Sequence, residues 1–134
     1  MSEGDSKSIG ILPNDPLARF IYSSSHFSRE NKRVKHNAFM PASDGKTSVY
    51  RTKELSQPEM WVIGQDVAQA RKQTLYARGD IVAADVSKLG LRILPSEPPP
   101  YHANIEGWPD DKSAQKLKAI DLADAAKLVI RPET

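Results

Sequence analysis

The chain has no cysteine, which excludes a disulfide framework, a thiolate zinc site and a cysteine nucleophile. No apolar run approaches the length of a membrane span, so no membrane partner is expected. Charge of one sign is also scarce overall. The formal net charge is only +2, which does not by itself mark a nucleic-acid binder. The P-loop, GxGxxG, HExxH and GxSxG motifs are all missing. The first residues, Met1 to Lys7, are polar and acidic with no apolar core, so no secretory signal is expected there. Together with the missing cysteine, this points to the cytoplasm as the expected location.

What is present suits one domain. A chain of 134 residues can bury about two-thirds of its unfolded surface, enough for a core without metal or disulfides. Apolar residues make up 39% and charged residues 27%, an ordinary globular balance leaning polar. The ten prolines fall in connections rather than in periodic segments. Residues 1–15 read as a flexible N-terminal arm with a short apolar patch, Ile9 to Leu12, closed off by Pro13 and Pro16.

Residues 16–134 read as a single α+β domain. Leu17–Tyr22 is apolar and β-prone, and three serines end it by competing for backbone groups. Asn37–Pro41 and Thr47–Thr52 are expected to form a hairpin around the Asp44-Gly45 turn. Ser56 and Glu59 spell a capping box with Pro58 inside the first turn. Met60, Ile63, Val67 and Ala70 continue it as a helical stripe to about Lys72. Residues 75–86 are ambiguous: Ile81-Val82 favours strand, Ala83-Ala84 accepts helix. Within them, Arg78-Gly79-Asp80 is read as a turn rather than an adhesion signal.

Leu89–Leu94 and Tyr101–Ile105 read as strands on either side of Pro95–Pro100, which cannot be regular structure. Pro98-Pro99-Pro100-Tyr101 resembles the proline-tyrosine ligands of WW-type modules, although a proline run inside a domain more often simply connects strands. A second helix is expected from about Asp110 to Leu128, capped by Asp110 or Asp111. Val129-Ile130 adds a short last strand. The expected architecture is a mainly antiparallel sheet with two principal helices.

The charge is unevenly spread. Between His26 and Lys53, seven lysines and arginines stand against Glu30 and Asp44. His26 follows a strand end, where functional side chains are often displayed. The expected catalytic set is His26, His102 and Arg51, with the two imidazoles as acid and base and the guanidinium as phosphate clamp. Lys32, Arg33 and Lys35 would add phosphate contacts. Tyr101 or Trp108 would hold a base by stacking. A stiff proline lead-in would fix His102, and Asn104 would share its strand face. The spacing of His26, His36 and His102 matches no metal pattern, and no cofactor is expected.

Three functions follow as expectations. The leading one is a phosphate-, nucleotide- or RNA-recognising domain, with His-based phosphodiester cleavage or nucleotide modification as its enzymatic form. The others are a non-catalytic module that binds a protein partner or a second copy of the chain, and a non-catalytic nucleic-acid-binding domain. The spatial requirement of the leading reading is that His26 and His102 share one pocket.

Overall fold

The computed structural model describes residues 10–132. Residues 1–9, which hold most of the expected flexible arm, lie outside the described part. Residues 10–15 are tied to the domain. Ile11 packs against the core, and the Pro13 and Asp15 carbonyls accept from the Ala84 and Ala83 amides at 2.9 Å each.

The strands in chain order are β1 (Pro16–Ile21), β2 (Phe27–Ser28), β3 (Arg33–Val34), β4 (Thr47–Arg51), β5 (Ala77–Val82), β6 (Arg92–Pro95), β7 (His102–Glu106) and β8 (Lys127–Ile130). Three helices interrupt them: α1 (Gln57–Ala70), α2 (Ala83–Ser87) and α3 (Lys112–Ala125). Six strands form one sheet in the order β6-β7-β4-β1-β5-β8, and β2 with β3 forms a separate ribbon. Every pairing among the described residues is antiparallel. The chain is thus an α+β domain with a mainly antiparallel sheet and two substantial helices.

The two long helices cover opposite faces. Strand alternation places Leu17 and Ile21 of β1 on one face with their register partners Ile81 and Ala77 of β5. These join one core with Ala119, Leu122 and Ala123 of α3. Phe20 and Tyr50 point to the other face, under α1. The helix meets them along Met60, Gly64 and Ala68, which are buried, while Ala70 is exposed. The expected stripe Met60–Ile63–Val67–Ala70 is therefore rotated toward the small residues. A Cβ on Gly64 would lie 2.8 Å from the Phe20 ring and 2.9 Å from Leu75, so the sheet selects the side of the helix that permits close approach.

The local signals appear where expected. Ser56 and Glu59 form the capping box, and Asp111 caps α3 by accepting from the Ala114 amide at 2.9 Å. The 75–86 ambiguity resolves into both forms, a strand to Val82 and then a helical turn.

Two expectations are overturned. Asn37–Pro41 is not a strand: residues 36–38 form a 3-10 turn, and β4 pairs with β1 and β7 instead. Only the tight turn at Ala42–Gly45 survives, closed by Gly45 N–H to the Ala42 carbonyl at 2.9 Å. Phe39 is fully buried in the core, which holds its backbone in the connection rather than on a sheet edge. The second correction concerns Arg78-Gly79-Asp80, which lies within β5. Arg78 is 1% exposed, its guanidinium bonded to Asp80 and Gln57 and seated 4.8 Å over the Trp61 ring.

Candidate functional site

Strands β1 and β4 are bridged only at Leu17–Arg51 and Ala18–Tyr50. Beyond that they part, and the Arg19 side chain enters the gap. Its Nε donates to the Ala38 carbonyl at 2.7 Å, and one terminal nitrogen donates to the Ser48 carbonyl at 2.8 Å. Arg19 is half-buried, and a cation withdrawn from water is costly unless its donors are engaged. Here two main-chain carbonyls engage them, that of Ser48 on β4 and that of Ala38 at the end of the 36–38 turn. Burial lowers the Arg19 pKa to about 10, so the group keeps its charge at neutral pH.

Beside this plug lies an open cavity of about 450 Å³. His26 and His102, expected to act together, both line it. Among the described residues, Arg19, Lys46 and Arg71 supply three cations to the same lining, against the single carboxylate of Asp44. Part of that carboxylate is already engaged, since Oδ1 accepts from the Lys46 amide at 3.0 Å. Arg71 is the residue that ends α1, where the helix dipole favours a cation. The lining is therefore net positive and suited to an anion.

Each imidazole is held differently. His26 closes a 3-10 turn, Ser24–His26, whose preceding Ser23 caps it through its side chain. Its own carbonyl accepts from the Lys35 amide at 2.9 Å. Burial first, then Arg19 and His36, hold the His26 pKa below its usual value. The ring is thus neutral at pH 7 and able to accept a proton.

His102 begins β7, immediately after the proline loop. Its Nδ1 lies 2.8 Å from the Ser96 carbonyl oxygen, which can only accept. That bond puts the proton on Nδ1 of the neutral ring, so Nε2 is the acceptor. The Ser48 hydroxyl, 2.7 Å away, donates to Nε2. The loop is closed around this ring by Ser96 N–H to the His102 carbonyl at 2.9 Å. Tyr101, held at φ 71°, donates its amide to Glu97 at 2.9 Å.

Arg51 is not in this cavity. It pairs with Glu97 at 3.0 Å, the same carboxylate oxygen that receives the Tyr101 amide, and so pins the proline loop. The basic run is also elsewhere. Arg33 pairs with Asp124 at 3.2 Å. Arg33 and Lys35 line a separate cavity of about 330 Å³ with His36. Lys32 is exposed in a turn at φ 53°.

The two stacking candidates point away as well. Trp108 donates to the Ile105 carbonyl at 3.2 Å and packs against the core. Tyr101 borders an apolar groove between α1 and Pro99-Pro100. Of the expected site residues, the fold brings His26 and His102 to one cavity and leaves the others outside it.

Arg19, Ser48 and Arg71 were not singled out from the sequence. Arg19 carried the one usable signal: a lone cation amid an apolar β-prone run needs buried partners. Ser48 and Arg71 carried none, because their meaning depends on which strands pair and where α1 ends. Asn104, the expected face-mate of His102, lines the cavity directly across the ladder from Ser48. Comparison with protein-family models, curated proteins and solved structures finds no match to this chain.

Proposed function

We propose that the cavity bordered by His26 and His102 holds the phosphate group of a nucleotide or of RNA. The observation that carries this reading is the convergence of two imidazoles with Arg19, Lys46 and Arg71 on one open cavity. Guanidinium groups bind phosphate oxygens through charge-assisted, often bidentate hydrogen bonds. Arg19 is fixed in advance by its bonds to the Ala38 and Ser48 carbonyls, so little ordering accompanies binding at that group. The clamp role expected of Arg51 passes to Arg19 and Arg71.

In the enzymatic form of this reading, the neutral His26 ring takes a proton from a ribose 2′-OH. The resulting alkoxide attacks phosphorus to give a 2′,3′-cyclic phosphate, and the bond from phosphorus to the 5′ oxygen breaks. That leaving oxygen takes the proton held by His26, while the arginines stabilise the charge that develops on phosphorus.

The test is an amide NMR titration of the full chain with inorganic phosphate and, separately, with adenosine 5′-monophosphate. Shifts should concentrate at Arg19, His26, Ser48, Arg71 and His102. Arg71→Gln should raise the Kd about five- to tenfold, as expected for one lost charge-assisted contact. Affinity should fall as salt rises. Saturating phosphate that shifts none of these amides refutes the proposal.

A further inference from the structure

We infer that Ser48 is a nucleophile activated by His102, and that it accepts the phosphoryl group of a phosphate ester. The inference rests on the phosphate reading of the same cavity and extends it from binding to covalent chemistry. Its carrier is the bond from the Ser48 hydroxyl to His102 Nε2, 2.7 Å long, in a cavity lined by both residues.

A serine hydroxyl is a weak nucleophile at its ordinary acidity. It becomes effective when a base within hydrogen-bond reach is itself oriented by a third group. All three parts are present. Ser48 of β4 pairs with Asn104 of β7, and His102 pairs with Tyr50. Ser48 and His102 are therefore diagonal neighbours on one sheet face. The Ser96 carbonyl accepts a hydrogen bond from Nδ1–H at 2.8 Å, leaving the lone pair of Nε2 toward the serine. The third group is a neutral carbonyl, not a carboxylate, so it sets tautomer and orientation without adding charge. The proline loop holds it in place through Glu97, which engages both Arg51 and the Tyr101 amide.

Charge stabilisation lies alongside. Arg19 donates to the carbonyl of Ser48 itself, so a fixed guanidinium sits beside the attacking residue. Ser48 Oγ forms a bond to phosphorus while its proton passes to His102 Nε2. The bond from phosphorus to the leaving oxygen breaks, and that oxygen takes the proton from Nε2. Water then attacks phosphorus, gives its proton to Nε2, and the Oγ–P bond breaks with return of that proton to Ser48. His26, which faces the same cavity, is not needed for either half.

The test treats the full-length chain with an alkyl fluorophosphonate and follows it by intact-mass measurement and peptide mapping. The expected result is one phosphonyl adduct, on Ser48, with fluoride as the leaving group. Inorganic phosphate should protect against it. His102→Gln should slow labelling by about 100-fold or more, the usual scale of a lost general base. An unlabelled Ser48 in the wild-type chain overturns the inference without reliance on any variant. So does labelling of a folded His102→Gln at the wild-type rate. If phosphate binds and Ser48 stays unmodified, the nucleophile fails alone. If Ser48 is modified, His102-dependent and indifferent to phosphate, the phosphate reading fails alone.

Discussion

Replacing Arg19 by methionine tests the link between the sheet and the site. The side chain donates two hydrogen bonds, at 2.7 and 2.8 Å, to the Ala38 carbonyl of the 36–38 turn and the Ser48 carbonyl of β4. Methionine keeps the apolar stem, so packing changes little, but both carbonyls lose their donor. A buried polar group left unpaired costs about 1–3 kcal/mol. Removing a desolvated cation returns part of that cost, and water entering from the cavity can reach the Ser48 carbonyl. The net loss should be about 2–4 kcal/mol.

Urea unfolding followed by circular dichroism reads this as a lower midpoint with an unchanged slope. Arg71→Met is the control. Arg71 is exposed, so its stability change should stay within about 0.5 kcal/mol, although phosphate binding should weaken in both variants. An Arg19→Met protein as stable as the wild type would refute the claim that the guanidinium closes the sheet.

Three further outcomes follow from the structure. Gly64→Ala should destabilise by about 1 kcal/mol in thermal or urea unfolding. The new methyl meets Phe20 and Leu75 at 2.8–2.9 Å, and overpacking of about 1–3 kcal/mol outweighs the gain of about 1 kcal/mol in helix propensity. A stabilised variant would contradict the packing. His26 should make stability depend on pH. Its pKa is lowered on folding, so the unfolded chain binds the proton more readily. The contribution is whole above the unfolded value near 6.5 and declines as pH falls through the lower folded value. His26→Gln should flatten that slope, and an unaltered pH profile would count against it. Asp111→Ala, which removes the acceptor for the Ala114 amide at 2.9 Å, should cost about 1 kcal/mol by urea unfolding; no loss would mean that the cap is not holding α3.

Much of the fold was readable because its signals are local. The capping box at Ser56, the Asp111 cap, the turn at Asp44-Gly45 and the stiff proline connection that follows Pro95, itself the last residue of β6, each depend on backbone geometry within a few residues. Single residues therefore determined where elements begin and end, and the mixture of short strands and two long helices indicated the α+β class. Tertiary structure decided which strands are neighbours, because pairing is a competition among remote segments for the same hydrogen-bonding edges. That competition moved β4 away from the expected hairpin to lie between β1 and β7. It buried Phe39, opened the gap filled by Arg19, and set Ser48 diagonally from His102. His26 and His102 were visible as candidates, but only the sheet order brought them to one cavity and took Arg51, Tyr101 and Trp108 out of it.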